Sequence, residues 1–203
     1  MSNRRLFTLL CQSLTAVLLF AIALVPQGPE RLASLFKEQN GQGVEVYAAN
    51  ADHTSRRLLR QVVPGAETFS EKQGDPPVYK AYGADPDNGE QVLIGYAFVT
   101  PDVPPEPNGY SGPIDTLIGI DLEGNVVGLR VIYYKESLRY TIGDFFSWGF
   151  EEQFIGKRAE DRMIVDRDID GIAKATISAK AAARGIRQAL RAVTEAYIDK
   201  GTR

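Results

Sequence analysis

Two apolar-rich runs, residues 114–121 and 126–134, are separated only by Leu122-Glu123-Gly124-Asn125. A glycine-containing link of that length makes a hairpin, so the two runs pair antiparallel. Residues 92–100 form a further strand candidate, followed by a proline-rich loop over 101–107, and residues 78–82 a weaker one. The runs show no regular β-α-β alternation. The expected class is therefore α+β, a mostly antiparallel sheet with flanking helices. Near the C-terminus Ala182, Ile186, Leu190, Val193 and Tyr197 recur at helical spacing, while Arg184, Arg187, Arg191 and Glu195 fall on other faces. That pattern predicts a long amphipathic helix. Shorter helices are expected over 30–39, with Leu32, Leu35 and Phe36 on one side, and over 54–63, closed by Pro64-Gly65. A turn is expected at 40–43, and the aromatic-rich stretch 145–154 is expected to be helical.

Residues 6–25 are nearly continuous in apolar side chains, broken by Thr8, Gln12, Ser13 and Thr15, and are preceded by Arg4 and Arg5. About twenty such residues can cross a bilayer, and the arginines favour the cytoplasmic side. The expectation is one N-terminal transmembrane helix in a membrane anchor over 1–29, with residues 30–203 forming a single domain on the periplasmic side of a bacterial cytoplasmic membrane. A signal peptide cleaved at Ala21-Ile22-Ala23 is the alternative. Arg4-Arg5-Leu6-Phe7 resembles a twin-arginine signal, although the segment is hydrophobic for that route. Cys11 and the polar positions in the span would permit packing against other membrane helices.

Composition removes most catalytic chemistries. Cys11 is the only cysteine and His53 the only histidine. An internal disulfide, a cysteine-ligated iron–sulfur cluster, a cysteine-rich zinc site and a two-histidine metal motif are all excluded. No metal site is expected. Neither a Gly-x-x-x-x-Gly-Lys loop nor a Gly-x-Gly-x-x-Gly turn occurs. The net charge is −3, and Arg4 and Arg5 precede the apolar run, so the remainder is more acidic still. Nucleic acid is a poor partner for such a surface. Redox work by this chain would need an organic cofactor.

Asp170-Gly171-Ile172-Ala173-Lys174-Ala175-Thr176-Ile177-Ser178 leads directly into the last helix. Small residues there surround a threonine at a helix N-terminus, where free N–H groups and the helix dipole favour an anion. A phosphate bound or esterified at Thr176 would sit in that field. The plainer reading makes Thr176 or Ser178 an N-cap.

This stretch resembles the flavinylation motif of the FMN-binding domain family, Asp-Gly-x-Ser/Thr-Gly/Ser-Ala-Thr. Asp170, Gly171, Ala175 and Thr176 match, whereas Ala173 replaces the hydroxyl residue and Lys174 the small one. Further segments carry the resemblance in the right order across about residues 60–197. Gly109-Tyr110-Ser111-Gly112-Pro113-Ile114, Ile118-Gly119-Ile120-Asp121 and Glu123-Gly124 look like the family's hairpin entry. Lys135-Glu136-Ser137 stands where the family has a Glu-Thr pair beside the flavin, although Leu138-Arg139 replaces the Pro-Gly that often follows. Trp148 with Phe154-Ile155-Gly156-Lys157 resembles the segment before the flavinylation site. Val63-Pro64-Gly65-Ala66 and Asp75-Pro76-Pro77-Val78-Tyr79 look especially like the flavin domain of the nitrous oxide respiration protein NosR.

The resemblance implies FMN as cofactor, moved from FAD to the final threonine by a flavin transferase through a phosphoester. FMN held non-covalently is the alternative that Ala173 and Lys174 leave open. It also implies partners among membrane-bound redox proteins or a membrane complex. The residues implied at the flavin are Thr176, Ala175, Lys174, Asp170, Gly171, Ser178, Glu136, Ser137, Tyr110 and Trp148. Read singly, Glu136 fits a surface acid, Asp170 a turn cap, Gly109 and Gly112 turn formers, His53 a solvated residue near a helix start, and Tyr110, Phe145, Phe146 and Trp148 core residues. No acid, base or nucleophile stands out for a particular substrate. An electron-transfer subunit is therefore expected over a stand-alone enzyme. The alternatives are a flavin-dependent reductase of a small periplasmic acceptor and an assembly subunit that has lost its flavin.

Overall fold

A computed structural model describes residues 54–105 and 107–199. The apolar run 6–25, the expectations over 30–39 and 40–43, and His53 lie outside them. Among the described residues no helix is long and apolar enough to cross a membrane.

The sheet is an antiparallel meander of five strands in sequence order. They are β1 (Thr68–Phe69), β2 (Tyr79–Ala84), β3 (Gln91–Val99), β4 (Ile114–Asp121) and β5 (Val126–Tyr134). The hairpin between β4 and β5 has the expected bounds. Asp121 closes it: Oδ1 accepts the N–H groups of Glu123 (3.1 Å) and Asn125 (2.8 Å). This is the short-range bonding that lets aspartate start turns.

Both faces of the sheet are covered, which explains why β4 reads as a run of apolar residues rather than an alternation. On one side Leu59 and Val62 of helix α1 (Arg56–Val62), with Val63, pack against Tyr79, Ala81, Ala97, Val99 and Leu117. The α1 helix starts on the Ser55 hydroxyl, which accepts from the Leu58 N–H at 3.3 Å. On the other side Phe98, Ile118, Ile120 and Leu129 meet Ala182, Ile186, Leu190 and Val193. Those four belong to the expected apolar face of the long helix α3 (Thr176–Val193) and are fully buried, whereas Tyr197, the fifth, lies in the π-helical turn Thr194–Ile198 and is half-buried. Burial of each Ile, Leu or Val there contributes about 1.5–3 kcal/mol. Between β5 and α3 comes a single turn, α2 (Arg139–Ile142).

The helix expected over 145–154 is not formed. The stretch runs as successive turns and ends in a 3₁₀ turn at Glu151–Phe154. Gly149 at φ +92° leaves the α-helical region and breaks any continuous helix. The aromatic rings serve packing instead: Phe145, Phe146, Phe150 and Phe154 are buried, and Tyr134 meets Phe145 and Phe146 edge-on at 5.1 and 4.9 Å.

That segment also places Glu151 against the outer edge of β5. Glu151 is buried; its Oε1 accepts the Val131 N–H (2.7 Å) and its Oε2 pairs with Arg130 (2.8 Å). Burial pushes its carboxyl up to about 7, outweighing the Val131 N–H and Arg130, while Asp144 and Glu152 push the same way. The folded chain therefore holds this proton more tightly than the unfolded chain does, and its stability falls as pH rises from about 4.5 to about 7. Glu151→Gln keeps the acceptor and removes the titration. The stability of the variant relative to the parent is expected to rise by about 3 kcal/mol across that window. Urea unfolding of both proteins at several pH values checks this, and parallel curves would contradict it.

Candidate functional site

Thr176 is the first residue of α3, and Ala175 occupies the cap position without any side-chain cap bond. The N-cap role suggested for Thr176 or Ser178 is therefore not used. The leading N–H groups of the helix and the positive end of its dipole are left for another acceptor. Thr176 is exposed and Ser178 is buried. Two residues upstream, Lys174 adopts φ +65°, in the left-handed region. That conformation costs a non-glycine residue roughly 1–2 kcal/mol, and it accounts physically for a small residue at this place in the related motif. Lys174→Gly is expected to raise stability by up to about 1 kcal/mol, read as a higher unfolding midpoint.

The N-terminus of α3 faces a cavity of about 550 Å³. Its wall brings together Tyr110, Glu136, Ser137, Lys174, Ala175, Thr176 and Ser178, with Leu138, Thr141, Phe145 and Ile177 supplying further surface. Trp148, Asp170 and Gly171 are not in it. They line a neighbouring hollow of about 350 Å³, and Phe145 belongs to both walls. Phe145 and Phe146 are core residues, while Tyr110 and Trp148 are exposed. Asp170 is held through its backbone: its N–H donates to Gln153 Oε1 at 2.6 Å and its carbonyl accepts from Gln153 Nε2 at 3.4 Å. Gln153 thus fixes the start of the loop that carries Thr176.

Glu136 is buried rather than a surface acid, at 4% exposure. Its segment is anchored from both sides. Arg139 donates its N–H to the Glu136 carbonyl (3.1 Å), and its guanidinium lies 4.6 Å from the centre of the Tyr134 ring. The Tyr134 hydroxyl in turn donates to Asp144 (2.8 Å).

Leu138, Thr141, Ile177 and Gln153 were not singled out from the sequence as site residues, and Phe145, expected in the core, is buried there and also lines the cavity. Leu138 and Ile177 carry no signal beyond standing close in the chain to Glu136 and Thr176. The volume lies in the range of small-molecule sites. An apolar wall, a lysine and an uncapped helix N-terminus suit a ligand with an apolar body and an anionic end.

Comparison with known proteins bears on what that ligand is. Residues 109–191 match the model of the FMN-binding domain. The chain is 30% identical over 190 residues to a subunit of the ion-translocating oxidoreductase complex of Pseudomonas aeruginosa, covering 87% of this chain and 86% of the relative. It is 26% identical over 141 residues to a subunit of the proton-translocating ferredoxin:NAD(+) oxidoreductase complex of Clostridium ljungdahlii, covering 67% and 70%. Over 111 residues it is 28% identical to a subunit of the Na(+)-translocating ferredoxin:NAD(+) oxidoreductase complex of Acetobacterium woodii, covering 51% and 50%.

Proposed function

The chain belongs to the FMN-binding domain family, whose cofactor is FMN, and we propose that it carries FMN as a phosphoester on the Thr176 hydroxyl and relays electrons between membrane redox partners. The observation that carries this reading is the position of Thr176, exposed at an uncapped helix N-terminus in the wall of a cavity of suitable size. We place the domain, residues 30–203, on the periplasmic side of a bacterial cytoplasmic membrane, tethered by residues 6–25. The relatives named as subunits of ion- and proton-translocating oxidoreductase complexes support membrane-bound redox partners.

The cavity fits the cofactor in kind. The N-terminal N–H groups of α3 and Lys174 would meet a phosphate, and Thr176 would hold it by a bond. Leu138, Phe145 and Ile177 would exclude water from an apolar ring system. When bound, FMN supplies reversible electron uptake and release, which no side chain of this protein provides. A tether through Thr176 prevents loss of the cofactor to an open compartment. A membrane anchor would keep the site close to its redox partners and raise the effective concentration there.

Attachment requires a flavin transferase and FAD. The Thr176 Oγ–phosphorus bond forms as the pyrophosphate bond of FAD breaks, AMP leaves, and the hydroxyl proton passes to solvent. The test is the intact mass and in-gel fluorescence of the full chain made with and without a flavin transferase. One added FMN less one water, seen only with the transferase, is expected. An unmodified mass with no bound flavin would overturn the reading in favour of an assembly subunit.

A further inference from the structure

The turn at residues 109–112 carries Tyr110, which lines the cavity and is 74% exposed. Its base is closed by the Gly109 N–H to the Gly112 carbonyl (2.7 Å) and by the Ile114 N–H to the Pro107 carbonyl (3.0 Å). Its tip is held differently. The N–H groups of Tyr110 and Ser111 both donate to Glu136 Oε1, at 2.9 and 3.2 Å. Glu136 stands just beyond the end of β5, beside the turn that leads into β4, because Ile114 pairs with Tyr134. Gly109 leaves room for this reach: a Cβ there would collide with Glu136 Oε1 and would also lie 2.7 Å from Ile114 Cδ1.

A buried carboxylate is costly unless donors meet its charge, and charge-assisted bonds to N–H groups are the stronger kind. Both donors of this carboxylate oxygen come from the turn. The acid therefore joins the turn that carries Tyr110 to the 136–137 part of the cavity lining, across 25 and 26 residues of sequence.

We propose that Glu136 is a positioning residue whose carboxylate latches the 109–112 turn, so that Tyr110 is held as a flap across the mouth of the flavin cavity. The flap half of this rests on the reading of the cavity as the flavin site, whereas the latch half does not. One carboxylate oxygen takes both N–H groups. A carboxamide oxygen at the same place can do so too, while a methyl group cannot.

The test uses the full chain, made with and without a flavin transferase, in four variants: Glu136→Ala, Glu136→Gln, Gly109→Ala and Tyr110→Ala. Amide hydrogen exchange of residues 109–112 reads the latch in flavin-free protein. Iodide quenching of flavin fluorescence reads the flap in loaded protein. Glu136→Ala and Gly109→Ala are each expected to speed exchange at Tyr110 and Ser111 by about tenfold or more, and to cost the flavin its protection from iodide. Glu136→Gln is expected to keep both. Tyr110→Ala is expected to lose iodide protection while Ser111 stays protected from exchange. Unchanged exchange in Gly109→Ala, or Glu136→Gln as open as Glu136→Ala, would overturn the latch. Iodide protection intact in Tyr110→Ala would overturn the flap. Should Glu136→Ala fail to fold, Gly109→Ala decides the same point. A parent chain that takes up no flavin would overturn the flap and the flavin site together, and the exchange comparison would still decide the latch.

Discussion

Thr176→Ala is expected to abolish flavin attachment completely while changing stability by no more than about 0.5 kcal/mol. The two halves of that result have separate causes. Attachment needs the hydroxyl as nucleophile, and an alanine offers none. Stability does not need it, because Thr176 is exposed and no side chain caps α3. Alanine is moreover the best helix former, so the first turn of α3 loses nothing. Ser178→Ala is the matching control. Ser178 is buried in the same cavity wall, two residues further along, and its loss is expected to leave attachment in place. Intact mass reads attachment and urea unfolding reads stability. A Thr176→Ala chain that still gains one FMN would put the bond elsewhere. A variant that unfolds would give the hydroxyl a structural role.

Gly128→Val is expected to cost about 4 kcal/mol or more, enough to leave little folded chain. Gly119 and Gly128 face each other across the β4–β5 pair. Together they form a shallow seat for the end of α1. A Cβ on Gly128 would lie 2.5 Å from the Val62 Cα and 2.7 Å from its carbonyl carbon. These neighbours are backbone, so no rotamer change relieves the clash. The α1 helix would have to lift, exposing Leu59, Val62 and Val63, which are now 4%, 0% and 2% exposed. Each such side chain contributes about 1.5–3 kcal/mol by burial, so losing the contact outweighs the 1–3 kcal/mol usual for overpacking. The urea midpoint measures this. A midpoint close to that of the parent would mean α1 contributes far less than its burial implies.

The parts of the fold that were legible in the sequence share one property: their signal is local. The β4–β5 hairpin announced itself through two apolar runs and a four-residue link, and α3 through the spacing of Ala182, Ile186, Leu190 and Val193. The stretch 145–154 misled because its aromatic content resembles a buried helix, while Gly149 at φ +92° ends any helix there. The candidate site was legible in part. Tyr110, Glu136 and Thr176 could be named from motifs, but nothing in the motif shows that Glu136 reaches back to the N–H groups of Tyr110 and Ser111. Gln153 carries no motif at all, and its hold on Asp170 spans seventeen residues.

Near-neighbour patterns were enough for the antiparallel class, the long C-terminal helix and the place of Thr176 at its start, because periodicity and turn chemistry act over a few residues. Three features needed the assembled chain: the burial of Glu136 and Glu151, the seating of α1 on Gly119 and Gly128, and the lining of a different hollow from that of Thr176 by Trp148, Asp170 and Gly171. Burial and cavity shape depend on segments brought together from distant parts of the chain. An acid becomes costly, titrates high or latches a loop only when that assembly has removed the water around it.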